Sequence, residues 1–160
     1  MSKTISYPSA DFPGPPQISC EIPEEWETLT VPGVQLAAAQ PRVEGRFRAN
    51  VVVTVQRFGP DFTLEAARAG LDQRKAALPG LEEIGTGEIE LEGTTWIASE
   101  YGYTQPGRPT VVQAARYAVV DRGDVATDVV EIVGSCGAEN AEEEIELVRS
   151  IQDSVRLVLD

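Results

Sequence analysis

Apolar and polar residues alternate with a period of two along much of this chain, and that spacing predicts strands. Ile18, Cys20 and Ile22 alternate with Ser19 and Glu21 until Pro23 removes a ladder donor, which places Trp26 just beyond a first strand as a core plug. Residues 34–39 supply a second short strand. The stretch NVVVTVQRF over 50–58 is rich in β-branched side chains and is the clearest strand in the chain. After Gly59-Pro60-Asp61 the period changes. Leu64, Ala67, Leu71 and Leu78 share one helical face, with Asp61 or Thr63 as N-cap and Pro79-Gly80 as the stop. A meander follows, with turns at Glu92-Gly93, at 105–109 and at 121–124. Asn140 and Glu143 then have the spacing of a capping box. Three glutamates, 142–144, fall where the helix dipole favours negative charge, and Ile145, Val148 and Ile151 form a core stripe. VRLVL over 155–159 can close the chain as a short strand.

The order is thus β-β-β-α-β-β-β-β-α with a final β, an α+β layout. The expected architecture is a twisted antiparallel sheet of six to seven strands with the two helices packed on one face. Residues 1–17, with Pro8, Pro13, Pro15 and Pro16, read as a flexible Pro-rich arm, and residues 18–160 as one domain.

These elements resemble a known family. A first strand ending in Ile22-Pro23 and followed by Trp26, the long β-branched strand, the mid-chain helix, Leu91 with Gly93 at a hairpin, and Tyr101 and Tyr103 beyond it are similar to PsbP-like domains. The likeness is nearest to the LpqN-type domain of actinobacterial lipoproteins and covers about residues 18–159. Glu25 stands where such domains often carry Gly, and the export signal and lipidated Cys of the lipoproteins are missing here. The resemblance implies a non-enzymatic binding or adaptor domain. Proteins of this fold include a Ran-binding import factor, a photosystem subunit and chaperones of secreted effectors.

Charge and composition narrow the chemistry. Thirteen basic against 26 acidic side chains leave a net charge of −13, which repels phosphate backbones and anionic membranes. Arg42, Arg46 and Arg48 are either a local basic patch or solvated loop arginines. The chain has no histidine, so it cannot build imidazole catalysis or a His-ligated metal site. Cys20 and Cys136 read as two buried thiols, with a bridge as the alternative in an exported protein. Cys136 before a helix N-terminus is a candidate activated thiol, but Glu139 and Glu142–Glu144 oppose a thiolate there. Glu88, Glu90 and Glu92 lie on one strand face, as a weak site for a hard cation or as a solvated face. Arg122-Gly123-Asp124 falls where a hairpin turn is required. No cofactor and no metal is expected.

Trp26, Trp96, Tyr101, Tyr103 and Tyr117 are the candidate binding residues, either as an exposed aromatic patch on the open sheet face or as ordinary core side chains. The expected function is a non-enzymatic, acidic, cytoplasmic protein-binding, adaptor or chaperone-like domain. The alternatives are a carrier of an apolar small molecule between sheet and helix, an enzyme pairing Glu100 with Tyr101 or Tyr103, and a homodimer joined through an edge strand.

Overall fold

The computed structural model describes residues 1–159. Nine strands and two helices follow in the order β1 (Gln17–Ser19), β2 (Glu27–Thr28), β3 (Leu36–Ala39), β4 (Asn50–Phe58), α1 (Leu64–Ala76), β5 (Glu82–Leu91), β6 (Thr94–Tyr103), β7 (Val111–Asp121), β8 (Thr127–Gly137), α2 (Ala141–Asp153) and β9 (Arg156–Val158). Seven strands form one antiparallel sheet in the order β2-β3-β4-β8-β7-β6-β5, and β1 pairs with β9 in a separate ribbon. The fold is α+β, as the residue pattern predicts. Glu92 and Gly93 both have positive φ, 48° and 79°, and make the two-residue turn between β5 and β6.

The placement of the helices corrects one expectation: they lie on opposite faces of the sheet. α2 covers the face formed by Trp96, Ala114, Ala118, Val130, Ile132 and Cys136, into which Val148 and Ile151 are buried. α1 covers the face formed by Ile97, Tyr101, Ala115, Tyr117 and Val129 through Ala67 and Leu71. Neighbouring residues in a strand point to opposite faces, so Trp96 and Ile97, or Val129 and Val130, can both be core only if both faces are covered.

Each helix is fastened by polar contacts as well as apolar ones. On the α2 face, Gln152 donates to the carbonyls of Ala114 and Ile132 at 2.9 and 3.2 Å. Arg149 holds both oxygens of Glu100 at 2.6 Å, and Arg116 meets Asp153 at 2.5 Å. On the α1 face, Lys75 is buried, donates to Glu83 and Ser99 at 2.8 and 2.9 Å, and lies 5.2 Å from the centre of the Tyr101 ring.

Local signals were met unevenly. Thr63 caps α1, accepting from the Ala66 amide at 3.1 Å. Asn140 precedes α2, but its side chain makes no cap hydrogen bond, because a 3-10 turn over Ala138–Asn140 already leads into the helix. The first strand ends at Ser19, yet Cys20 and Ile22 still pack on the core, and Trp26 is buried in it. The stretch 1–17 is docked in its last part. Asp128, with no exposed surface, binds Arg57 at 2.7 Å and Arg122 at 3.0 Å, and these guanidinium groups donate to the carbonyls of Pro13 and Gly14. Gly14 and Pro16 are buried there.

Candidate functional site

The exposed aromatic patch is not formed. Trp26 and Trp96, 6% and 2% exposed, belong to the core beneath α2, whereas Tyr101 and Tyr117, 5% and 2% exposed, lie on the other side of the sheet beneath α1. Tyr103 alone is half-buried. Burial holds both buried tyrosines in the phenol form, pushing Tyr101 and Tyr117 up to about 12. Glu100 is clamped by Arg149 on the α2 face while Tyr101 and Tyr103 point to the α1 face, so the carboxylate and the phenols diverge.

The other candidate groups are tied into the structure too. Both thiols are free; burial pushes Cys136 up to about 11, reinforced by Glu144 and Glu100, and burial also raises Cys20. Arg46 pairs with Glu144, and Arg48 pairs with Glu27 at 2.5 Å, which neutralises two of the three loop arginines. Glu88 meets Arg68 at 3.0 Å and Glu92 meets Arg156 at 2.9 Å. Among the described residues no three His, Cys, Asp or Glu side chains gather as a metal site. Arg122 is spent on Asp128, and Gly123 takes the positive φ of the turn.

Part of the α1 face is only partly covered. α1 lies over Ile97, Tyr101 and Tyr117, and the strands beside it keep Val52, Val111, Gln113, Val133 and Tyr103 half-exposed. The register sets them in two pairs with Gln113 between. Val52 pairs with Val133, Tyr103 pairs with Val111, and Val111 pairs with Gly137, while Gln113 lies opposite Ser135. The Phe47 side chain, 37% exposed, lies over Gly137, where an added Cβ would stand 3.0 Å from the Cβ of Phe47. Sequence reasoning named only Tyr103 among these residues. Val52, Val111 and Val133 carry no sequence signal beyond their place in strands, and each is half-buried.

Two clefts border this framework. One, of about 330 Å³, runs between α1 and strands β4, β7 and β8, walled by Phe58, Phe62, Gly70, Tyr117 and Val129. Phe58 and Phe62 stack with ring centres 3.9 Å apart, and Arg74 closes on Glu131 at 2.9 Å along the same cleft. The Tyr117 hydroxyl is sealed from solvent and has no hydrogen-bond partner. The second, of about 280 Å³, is an apolar hollow beside β1, lined by Ile18, Cys20, Ile22, Leu36, Val51 and Val53.

The fold is shared with proteins of very different sequence. The crystal structure of LpqN, involved in cell envelope biogenesis of Mycobacterium tuberculosis, superimposes with a TM-score of 0.72 at 17% identity, over 91% of this chain and 86% of LpqN. Cyanobacterial PsbP from Synechocystis sp. PCC 6803 matches over 98% of both chains, with a TM-score of 0.59 and 14% identity. The Saccharomyces cerevisiae Ran-binding protein Mog1p matches with a TM-score of 0.60 and 16% identity, over 88% of this chain and 90% of its own. The chain therefore has the PsbP-like fold. No family model matches its sequence, and no curated protein does so. No helix of the described residues is long and apolar enough to cross a membrane.

Proposed function

We propose that this PsbP-like domain is a non-catalytic binding module that engages a protein partner on the part of the α1 face that the helix leaves half-exposed. The observation that carries this reading is a set of two half-exposed pairs, Val52 with Val133 and Tyr103 with Val111, joined through Gln113, edged by Phe47 and flanked by a packed helix. Apolar anchors on a rigid sheet, with polar residues such as Gln113 among them, have the composition of an interface core. The chain carries −13, so its field attracts a partner whose contact surface is rimmed by Lys and Arg. A similar fold occurs in Mog1p, a Ran-binding protein, which is support by analogy alone. The non-catalytic half of the reading is supported by the absence of imidazole, the protonated Cys136 thiol and the clamped Glu100. Co-purification from native cells tests it, comparing wild type with Val52→Lys and Val133→Lys after circular dichroism confirms that both fold. One basic protein should be recovered by wild type and lost by both variants. Its undiminished recovery by both variants contradicts the proposal.

A second reading, carriage of a small molecule between helix and sheet, is favoured by one specific observation. The cleft beside α1 has as part of its wall a buried tyrosine whose hydroxyl lacks a partner.

A further inference from the structure

We propose that the cleft beneath α1 takes a small, uncharged, largely aromatic molecule and holds it by one acceptor oxygen bonded to the O–H of Tyr117. The inference rests on the second reading above and names the chemistry of its ligand.

Three features select that chemistry. The cleft, about 330 Å³, is at the small end of ligand sites, which run from roughly 300 to 1,000 Å³. Its walls are flat and apolar where Phe58 stacks on Phe62 and where Gly70 replaces a side chain, next to Val129. A Cβ built on Gly70 meets only the Arg74 guanidinium, at 3.9 Å, so there is room above the helix backbone. A ring fits this slot better than a branched chain does.

The charges are already matched. Arg74 is paired with Glu131, and Arg68, on the same helix, is paired with Glu88. An ionic ligand would compete with one of these pairs, whereas an uncharged one leaves them intact. The single unmet polar demand in the cleft walls belongs to Tyr117, whose residue is 2% exposed and whose oxygen has no partner. Burial keeps that phenol protonated, so it offers a donor to an acceptor such as a carbonyl oxygen. The oxygen is sealed from solvent, so a ligand reaches it only when α1 shifts outward from the sheet. α1 lines the cleft with Ala66, Ala67 and Gly70, with the exposed Gln73 and Arg74 beside them, so a small outward shift of the helix is what binding requires.

The test uses 2-acetylnaphthalene and 2-isopropylnaphthalene, which share a shape and differ in one carbonyl oxygen. Each is titrated into the ¹⁵N-labelled full chain, with binding followed by amide shifts, for wild type, Tyr117→Phe and Gly70→Leu. The acetyl compound should bind about tenfold more tightly to wild type, the worth of one buried hydrogen bond. Tyr117→Phe should abolish that preference, and Gly70→Leu, which fills the slot, should abolish both interactions. The Tyr117 hydroxyl makes no hydrogen bond, so its removal should leave the amide spectrum native. Equal affinity of the two compounds for wild type overturns the inference and leaves the small-molecule reading standing. A preference that survives Tyr117→Phe overturns it as well. Binding of neither compound overturns both.

Discussion

At the scale of single residues, burial sets the chemistry of the tyrosines and thiols, as partnership does for Arg57 and Arg149. Tyr101, Tyr117 and Cys136 all have their proton-bearing form favoured by desolvation, the tyrosines at about 12 and the thiol at about 11, against ordinary values of 10.0 and 9.0. A raised pKa in the folded state means that the folded chain keeps protons which the unfolded chain has already released. The stability these groups contribute is therefore complete below about pH 9 and is lost as pH rises to about 12. Urea unfolding from pH 7 to 11 should show a level midpoint up to pH 9 and a steep fall above it. The scale is on the order of 2 kcal/mol for each tyrosine when fully ionised. Tyr117→Phe should make the fall shallower; a midpoint that stays level to pH 11 contradicts the burial argument. The sequence marked these aromatics as important but could not tell patch from core. Strand alternation gives two faces and does not say which of them a helix covers, so Trp96 and Ile97 are equally fit to be buried.

At the scale of elements, most boundaries were readable because they depend on local chemistry. The change of period after Gly59-Pro60, the Thr63 cap and the Glu92-Gly93 turn are each set by residues a few positions apart. The side on which each helix packs is set by contacts between residues far apart in sequence. One clue was present: apolar residues on both faces of β6, β7 and β8 require two covering layers. The fit of α2 depends on one such distant contact. Gly134 is where Val148 enters the sheet, and an added Cβ would lie 2.1 Å from Val148 Cγ1. Gly134→Ala should therefore cost roughly 1–3 kcal/mol in urea unfolding. Adding Val148→Ala should cost less than the sum of the two single changes, because the second removes the atoms the first strikes. Strict additivity would mean that α2 does not seat on Gly134.

At the scale of the whole molecule, acidic charge and internal pairing act together. Arginine side chains are largely committed to carboxylates within the fold, Arg74 to Glu131 on the α1 face among them, which leaves a net-negative exterior around a half-exposed sheet face. The Arg57–Asp128–Arg122 group also joins the chain's beginning to the sheet, through the Pro13 and Gly14 carbonyls. Asp128→Asn leaves Arg122, whose side chain is 5% exposed, without its counter-charge. It should lower stability by about 3 kcal/mol and raise the rate of proteolysis within residues 1–16, measured by limited digestion. An unchanged digestion pattern would separate the arm from the triad. A partner protein is proposed to touch the half-exposed part of the α1 face. Photo-crosslinking in native cells tests this, from benzoylphenylalanine placed at position 52 or 133, with position 65, exposed on α1, as control. One shared adduct, to a basic protein, is expected from 52 and 133 and none from 65. Equal labelling from all three positions, or no adduct at 52 and 133, would contradict it.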